Sequence, residues 1–169
     1  MRKIIKAIDT TNEWTGRSVR WLVIFLIVVI CSEVFMRYVL NMPTIQGPVI
    51  ASFTGAALYS LSWGYIHLYR RHIRVDVLYA RFPTRGKAII DVVCAVLFLI
   101  PLIGLMCYAG WWWTWYAWST TERSGMTFWY PITGPIRTIV FIGFILFALQ
   151  GLAQFYRDIY LLVRSKPYD

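Results

Sequence analysis

The chain has 169 residues, of which 59% are hydrophobic and 15% are charged, and its formal net charge is +9. A soluble domain is usually about 45–50% apolar and about 25% charged, so the composition favours a membrane protein. Long apolar segments occupy most of the chain, so we expect no separate soluble domain. The basic residues lie at the ends of long apolar segments. That placement is typical of membrane orientation and argues against a nucleic-acid-binding surface.

The chain begins with a basic segment, residues 1–17, in which Ile4, Ile5 and Ile8 share one helical face. Such a segment is typical of an amphipathic helix on the membrane surface, with its lysines toward anionic lipid headgroups. Four apolar segments follow, each long enough to cross a bilayer as a helix. They span about 19–40, 47–69, 88–111 and 135–163. These patterns predict an all-α integral membrane protein with four transmembrane helices in one membrane domain over residues 1–169.

The first span contains two opposite charges, Glu33 and Arg37, which lie four residues apart and therefore on one helical face. An unpaired charge at the centre of a bilayer costs roughly 2.5–3.5 kcal/mol, so we expect an intramembrane ion pair. A structural pair that faces another helix is the leading interpretation. A carboxylate that couples transport to protons, or a contact to a partner subunit, is the alternative.

The second span carries small side chains at intervals of four residues. They are Ser52, Ala56, Ser60 and Gly64. Small side chains in one stripe allow another helix to approach closely, so we expect a subunit interface at this stripe. A chance repeat in a helix rich in alanine and serine is the alternative.

Two loops between spans contain charged residues. The loop after the second span contains His72, Arg74 and Asp76. The loop after the third span contains Glu122, Arg123 and Ser124. In the first loop the charges alternate with Ile and Val, which indicates a structured segment beyond an anchor on anionic lipid. The second loop is either a solvated loop tip or a docking point for a periplasmic partner.

The third and fourth spans have features that concern helix geometry and packing. Pro101 removes a helical hydrogen bond and should bend the third helix, whose pattern can extend as far as Ser119. Thr133 is the expected N-cap of the fourth helix. Gln150 lies near the middle of that helix, where its amide needs a hydrogen-bond partner across a helix interface, so we expect it at a subunit interface as well. No catalytic or cofactor motif occurs, so we expect neither an enzyme nor a cofactor in this chain.

The distribution of basic residues predicts the orientation. Of the 17 Lys and Arg residues, 14 lie in the N-terminal segment, the loop between the second and third spans, and the C-terminal end. The opposite side has Arg37, Arg123 and Arg137. Positively charged residues stay in the cytoplasm, so both termini are expected there. The expected location is the inner membrane of a bacterium, in a multi-pass arrangement.

Four short motifs resemble those of the small membrane subunit of tripartite ATP-independent periplasmic (TRAP) transporters. Residues Arg37 to Asn41 are similar to the R-Y-x-x-N motif that ends the family's first helix. Residues His72 to Asp76 are similar to the family's H-[IV]-R-V-D loop. Residues Ser119 to Ser124 resemble the family's S-x-x-x-E-x-S segment, although the spacing is one residue shorter here. Residues Leu149 to Gly151 resemble the L-Q-G motif of the family's fourth helix. Residues 44–48 lack the tryptophan and acidic residues that the family often has there, and Gln46 stands in their place.

The resemblance implies a subunit with a supporting role. A large TRAP membrane subunit would move an organic acid with sodium, and a periplasmic substrate-binding protein would capture that acid. The small subunit would brace the large one, with no cofactor of its own and sodium coupling in the large subunit.

Two other functions stay open at this point. An autonomous small proton-coupled exporter would use Glu33 as its titrating carboxylate, although the nearby Arg37 would keep that group ionised. A membrane anchor for a redox enzyme is the other possibility. The few polar groups within the spans favour the bracing subunit over both.

Overall fold

The computed structural model describes residues 2–69 and 84–164, and within these ranges it is helical without a β-strand. The helices are α1 (Arg2–Val19), α2 (Trp21–Tyr38), α3 (Gly47–Leu68), α4 (Thr84–Cys94), a π-helical turn (Ala95–Leu99), α5 (Ile100–Ser119) and α6 (Gly134–Arg164). Four helical stretches are long and apolar enough to cross a membrane: Arg2–Tyr38, Gly47–Leu68, Ile89–Ser119 and Gly134–Arg164. The predicted all-α membrane fold with four spans is confirmed.

The N-terminal segment is an amphipathic helix, but its buried face packs against the chain itself. Ile5, Asn12 and Val19 are buried and lie seven residues apart, which is two helical turns. Ile5 packs with Ala153 of α6, while α1 also contacts α3. Arg20 keeps helical backbone angles, so α1 continues almost directly into α2. The sequence did not predict this docking, because any amphipathic helix can bury its apolar face in lipid or in protein.

The third span shows how the chain accommodates Pro101. The helix forms a π-helical turn at Ala95–Leu99, and the N–H of Ile100 donates to the carbonyl oxygen of Ala95, five residues earlier. Proline lacks an N–H, and the wider turn lets the helix continue past it as α5. The helix runs on to Ser119, beyond the residue 111 expected for the span, because the tryptophan-rich segment contains no helix-breaking residue.

Helix α6 is the centre of the bundle and contacts α1, α3, α4 and α5. Its closest approach is to α3: a Cβ atom added at Gly143 would lie 2.6 Å from the backbone carbon and oxygen of Ser60. Trp63 of α3 stacks on Phe144 of α6 with ring centroids 5.6 Å apart. Helix α2 contacts mainly α3, and its remaining surface is apolar and exposed.

Candidate functional site

The small-residue stripe of α3 brings helices together within the chain. Ser60 is 3% exposed and faces Gly143 of α6. Gly64 is buried, and a Cβ atom there would lie 2.0 Å from Oδ1 of Asn12 in α1. The close approach that the spacing predicts is made by the chain's own α6 and α1. Ser60 and Gly64 are therefore closed to a second subunit, whereas Ser52 is exposed and Ala56 half-buried.

Gln150 is the centre of a buried polar network between α1 and α6. Its side chain is fully buried, its Oε1 accepts from Nδ2 of Asn12 at 2.8 Å, and its Nε2 donates to Oδ1 of Asp9 at 2.9 Å. Arg157 donates to both carboxylate oxygens of Asp9. Gln150 thus bonds across a helix interface, and that interface lies inside the chain.

Sequence reasoning missed Asp9, Asn12 and Arg157 as members of this network. One signal was present, because Asn12 lies seven residues from both Ile5 and Val19 and shares their buried face. A polar side chain on a buried face needs a partner. The partner itself could not be chosen from the sequence, since it depends on where α1 docks.

Replacing Gln150 with leucine should lower the stability of the chain. The change removes both hydrogen bonds, at a cost of about 1–3 kcal/mol. Asp9 then keeps only Arg157, and the amide nitrogen of Asn12 keeps only backbone carbonyl oxygens such as that of Ile8. Thermal unfolding of the purified chain in mild detergent measures the effect. Leu149→Met is the neighbouring control at a partly exposed position of the same helix, because it conserves volume and apolar character. An unfolding temperature equal to that of the wild type would show that the network contributes no net stability.

The structure places Glu33 and Arg37 in an ion pair at the end of α2. A terminal nitrogen of Arg37 lies 3.0 Å from Oε1 of Glu33, and Oε2 accepts the hydroxyl hydrogen of Thr44. The N–H of Gly47 donates to Thr44 Oγ1 at 3.1 Å, and a Cβ at Gly47 would lie 2.4 Å from Glu33 Oε2. Thr44 thus binds the second oxygen of Glu33, and Gly47 holds the Thr44 hydroxyl in place. Both residues lie in the segment 44–48, where the sequence departs from the family motif.

The loop between α5 and α6 is folded back on itself. The N–H of Ser124 donates to the carbonyl oxygen of Pro131 at 2.8 Å, and the N–H of Thr133 donates to the carbonyl oxygen of Glu122 at 2.9 Å. The hydroxyl of Thr133, which precedes α6, also donates to that carbonyl oxygen. Ser124 is buried, and Arg123 is exposed.

The carboxylate of Glu122 pairs with Arg137, which the sequence did not single out as a partner. Arg137 also donates to the carbonyl oxygen of Trp113 at 3.0 Å, and its guanidinium lies 4.4 Å above the Trp113 ring. Arg137 is only 9% exposed. Of the three loop candidates, Glu122 and Ser124 are held by the chain itself and Arg123 faces outward. The other candidate loop residues, His72, Arg74 and Asp76, lie outside the residues that the structure describes.

These features define a small multi-pass membrane protein whose polar groups connect its own helices. The sequence model of the family described as "Tripartite ATP-independent periplasmic transporters, DctQ component" matches residues 26–160. This match covers well over half of the sequence, so the chain belongs to that family and is a small permease subunit of a TRAP transporter in the inner membrane. The resemblance inferred from the motifs is confirmed. No individual curated protein matches the chain significantly.

Proposed function

We propose that this chain braces the large membrane subunit of a TRAP transporter during uptake of an organic acid. In this proposal a periplasmic binding protein captures the acid, and the large subunit moves it together with sodium ions. Membership of the family supports association with both partners. The structure supports a bracing role through its ion pairs, because they hold the chain's own helices and loops in place.

The observation that carries the proposal is the pairing of carboxylates at three helix contacts. Among the described residues, Asp9 pairs with Arg157, Glu33 with Arg37 and Glu122 with Arg137. These contacts join α1 to α6, hold α2 at the start of α3, and fix the loop that enters α6. Opening any of them to admit a solute would leave a charge unpaired in or near the membrane, which is costly.

The proposed topology places both termini in the cytoplasm. Four crossings bring the two termini to one side of the membrane. The basic residues concentrate on that side, which the positive-inside rule assigns to the cytoplasm. The loop that contains Arg123 then faces the periplasm, where it can contact the binding protein. Lys3 and Lys6 lie at the opposite side, near anionic lipid headgroups.

The proposed contact surface for the large subunit is the outer face of α2. Apart from Ser32, Glu33 and Arg37 this helix is apolar, and it belongs to the least buried of the four spans. Val28 is 59% exposed and Phe35 is 54% exposed, and helical geometry puts both on the side of α2 away from Glu33. Two small residues of α3, the exposed Ser52 and the half-buried Ala56, extend the available surface.

Copurification tests the proposed association. A tagged copy of the chain, coexpressed with the large subunit, should recover that subunit in a stable complex. Val28→Trp should reduce the recovery several-fold, because the larger side chain disturbs packing at the contact. Leu105→Trp, at an exposed position of α5, is the matched control and should leave recovery unchanged. Recovery of the chain alone from coexpressing cells would contradict the proposal.

The exporter hypothesis is less well supported. It requires Glu33 to exchange protons with water during transport, yet the side chain of Glu33 is 12% exposed and both its oxygens accept hydrogen bonds. Proteoliposomes that contain only this chain should therefore show no solute transport, and Glu33→Gln should change nothing in that assay.

A further inference from the structure

A cleft between α2 and α3 lies beside the ion pair of Glu33 and Arg37. It has a volume of about 230 Å³ and opens between the end of α2 and the start of α3. Its lining includes Ile30, Glu33, Val34, Arg37, Tyr38 and Ala51. Two charged side chains and one phenol lie at one end, and the remaining wall is apolar.

The polar end of the cleft is suited to an anion. Both oxygens of Glu33 already accept hydrogen bonds, from Arg37 and from Thr44, and the carboxylate is largely buried. Arg37 uses one terminal nitrogen for Glu33, and its side chain is 47% exposed. A guanidinium has five N–H donors, so several remain to face the cleft. Tyr38 is 75% exposed beside it and adds a hydroxyl donor.

The apolar part of the cleft runs from this end toward the interior of the membrane. Ile30 lies seven residues before Arg37, which corresponds to about 10 Å along a helix. Val34 lies between them on the same side, and Ala51 provides the facing wall on α3. The site therefore combines donors for an anion at the membrane surface with an apolar groove directed inward.

We propose that this cleft binds one phospholipid, with the phosphate on Arg37 and Tyr38 and an acyl chain along Ile30, Val34 and Ala51. Arginine binds phosphate through two parallel hydrogen bonds, and aromatic residues with a polar tip favour the headgroup region. A carboxylate of a partner protein would satisfy Arg37 but would have no use for the inward apolar groove. The outer face of α2, with Val28 and Phe35, stays free for the large subunit.

Native mass spectrometry of the full-length chain tests the proposal. The chain, extracted in mild detergent, is titrated with phosphatidylglycerol of defined acyl length. The wild type should retain one lipid. Arg37→Gln should weaken lipid retention about tenfold or more, because it removes a charge-assisted hydrogen bond to the phosphate. Ala51→Phe should weaken it as well by filling the groove while leaving Arg37 and Glu33 in place. Arg123→Gln removes an exposed arginine of the α5–α6 loop and should bind as the wild type does.

Thermal unfolding of each variant shows whether it is folded before lipid binding is compared. Equal retention by Arg37→Gln and the wild type would overturn the site, and so would unchanged retention by Ala51→Phe. Loss of the large subunit from Arg37→Gln, with lipid retention intact, would instead assign Arg37 to a protein contact and reject the lipid. Complex formation is measured separately, so failure of the lipid site leaves the proposed bracing function standing.

Discussion

Gly143→Ala is expected to destabilise the chain by about 2–3 kcal/mol, the largest effect we expect from a single added methyl group. The new Cβ would lie 2.6 Å from the carbonyl carbon and oxygen of Ser60. The added methyl group would therefore collide with backbone atoms, which cannot rotate away as a side chain can. Neither helix can move away without disturbing the stacked pair of Trp63 and Phe144. Thermal unfolding in detergent should show a lower transition temperature and a lower yield of folded chain.

Gly55→Ala in α3 is the matched control for this prediction. No heavy atom lies within 4 Å of a Cβ placed there, so the added methyl group meets open space. Alanine has a higher helix propensity than glycine, by about 1 kcal/mol, and the variant should be as stable as the wild type or more so. Equal stability of both variants would show that α3 and α6 do not pack at the distance described.

Arg137→Met is expected to cost about 3 kcal/mol, because it breaks a largely buried ion pair by removing one partner. Glu122 would lose its cation, the carbonyl oxygen of Trp113 would lose its donor, and the Trp113 ring would lose the guanidinium above it. The α5–α6 loop, which the hydrogen bond from the N–H of Thr133 to the carbonyl oxygen of Glu122 closes, would also become less ordered. The measurement is thermal unfolding, together with limited proteolysis at the α5–α6 loop.

The double variant of Arg137→Met with Glu122→Leu shows how much of the lost stability comes from leaving the carboxylate of Glu122 unpaired. Removing both charges avoids an uncompensated carboxylate, so the double variant should recover part of the lost stability. Arg123→Met changes the adjacent exposed arginine and should behave as the wild type. A single variant that unfolds at the wild-type temperature would show that water replaces Arg137 without cost.

Much of the fold could be predicted because the bilayer imposes simple requirements on sequence. Spans need about 20 apolar residues, and the four segments of that length are the four membrane-crossing helical stretches. The spacing of Glu33 and Arg37 indicated their pairing, since residues four apart meet on any helix. Local geometry of this kind holds whatever the tertiary structure.

The contacts that could not be predicted are those between distant parts of the chain. Asp9 and Gln150 are 141 residues apart, and no spacing rule links Arg137 of α6 to Glu122 of the preceding loop. The stripe at Ser60 and Gly64 correctly indicated a close helix approach, but the sequence did not distinguish a helix of the same chain from that of another subunit. The long N-terminal helix was ambiguous for the same reason, because its apolar face fits lipid and protein alike.

Uptake by a reconstituted transporter tests the bracing function most directly. Proteoliposomes are prepared with the large subunit alone, with this chain alone, and with both, and each receives the substrate-loaded binding protein and a sodium gradient. We expect accumulation of the substrate only when both membrane subunits are present, and none from this chain alone. Equal uptake by the large subunit without its small companion, or uptake by the isolated chain, would contradict the proposed role.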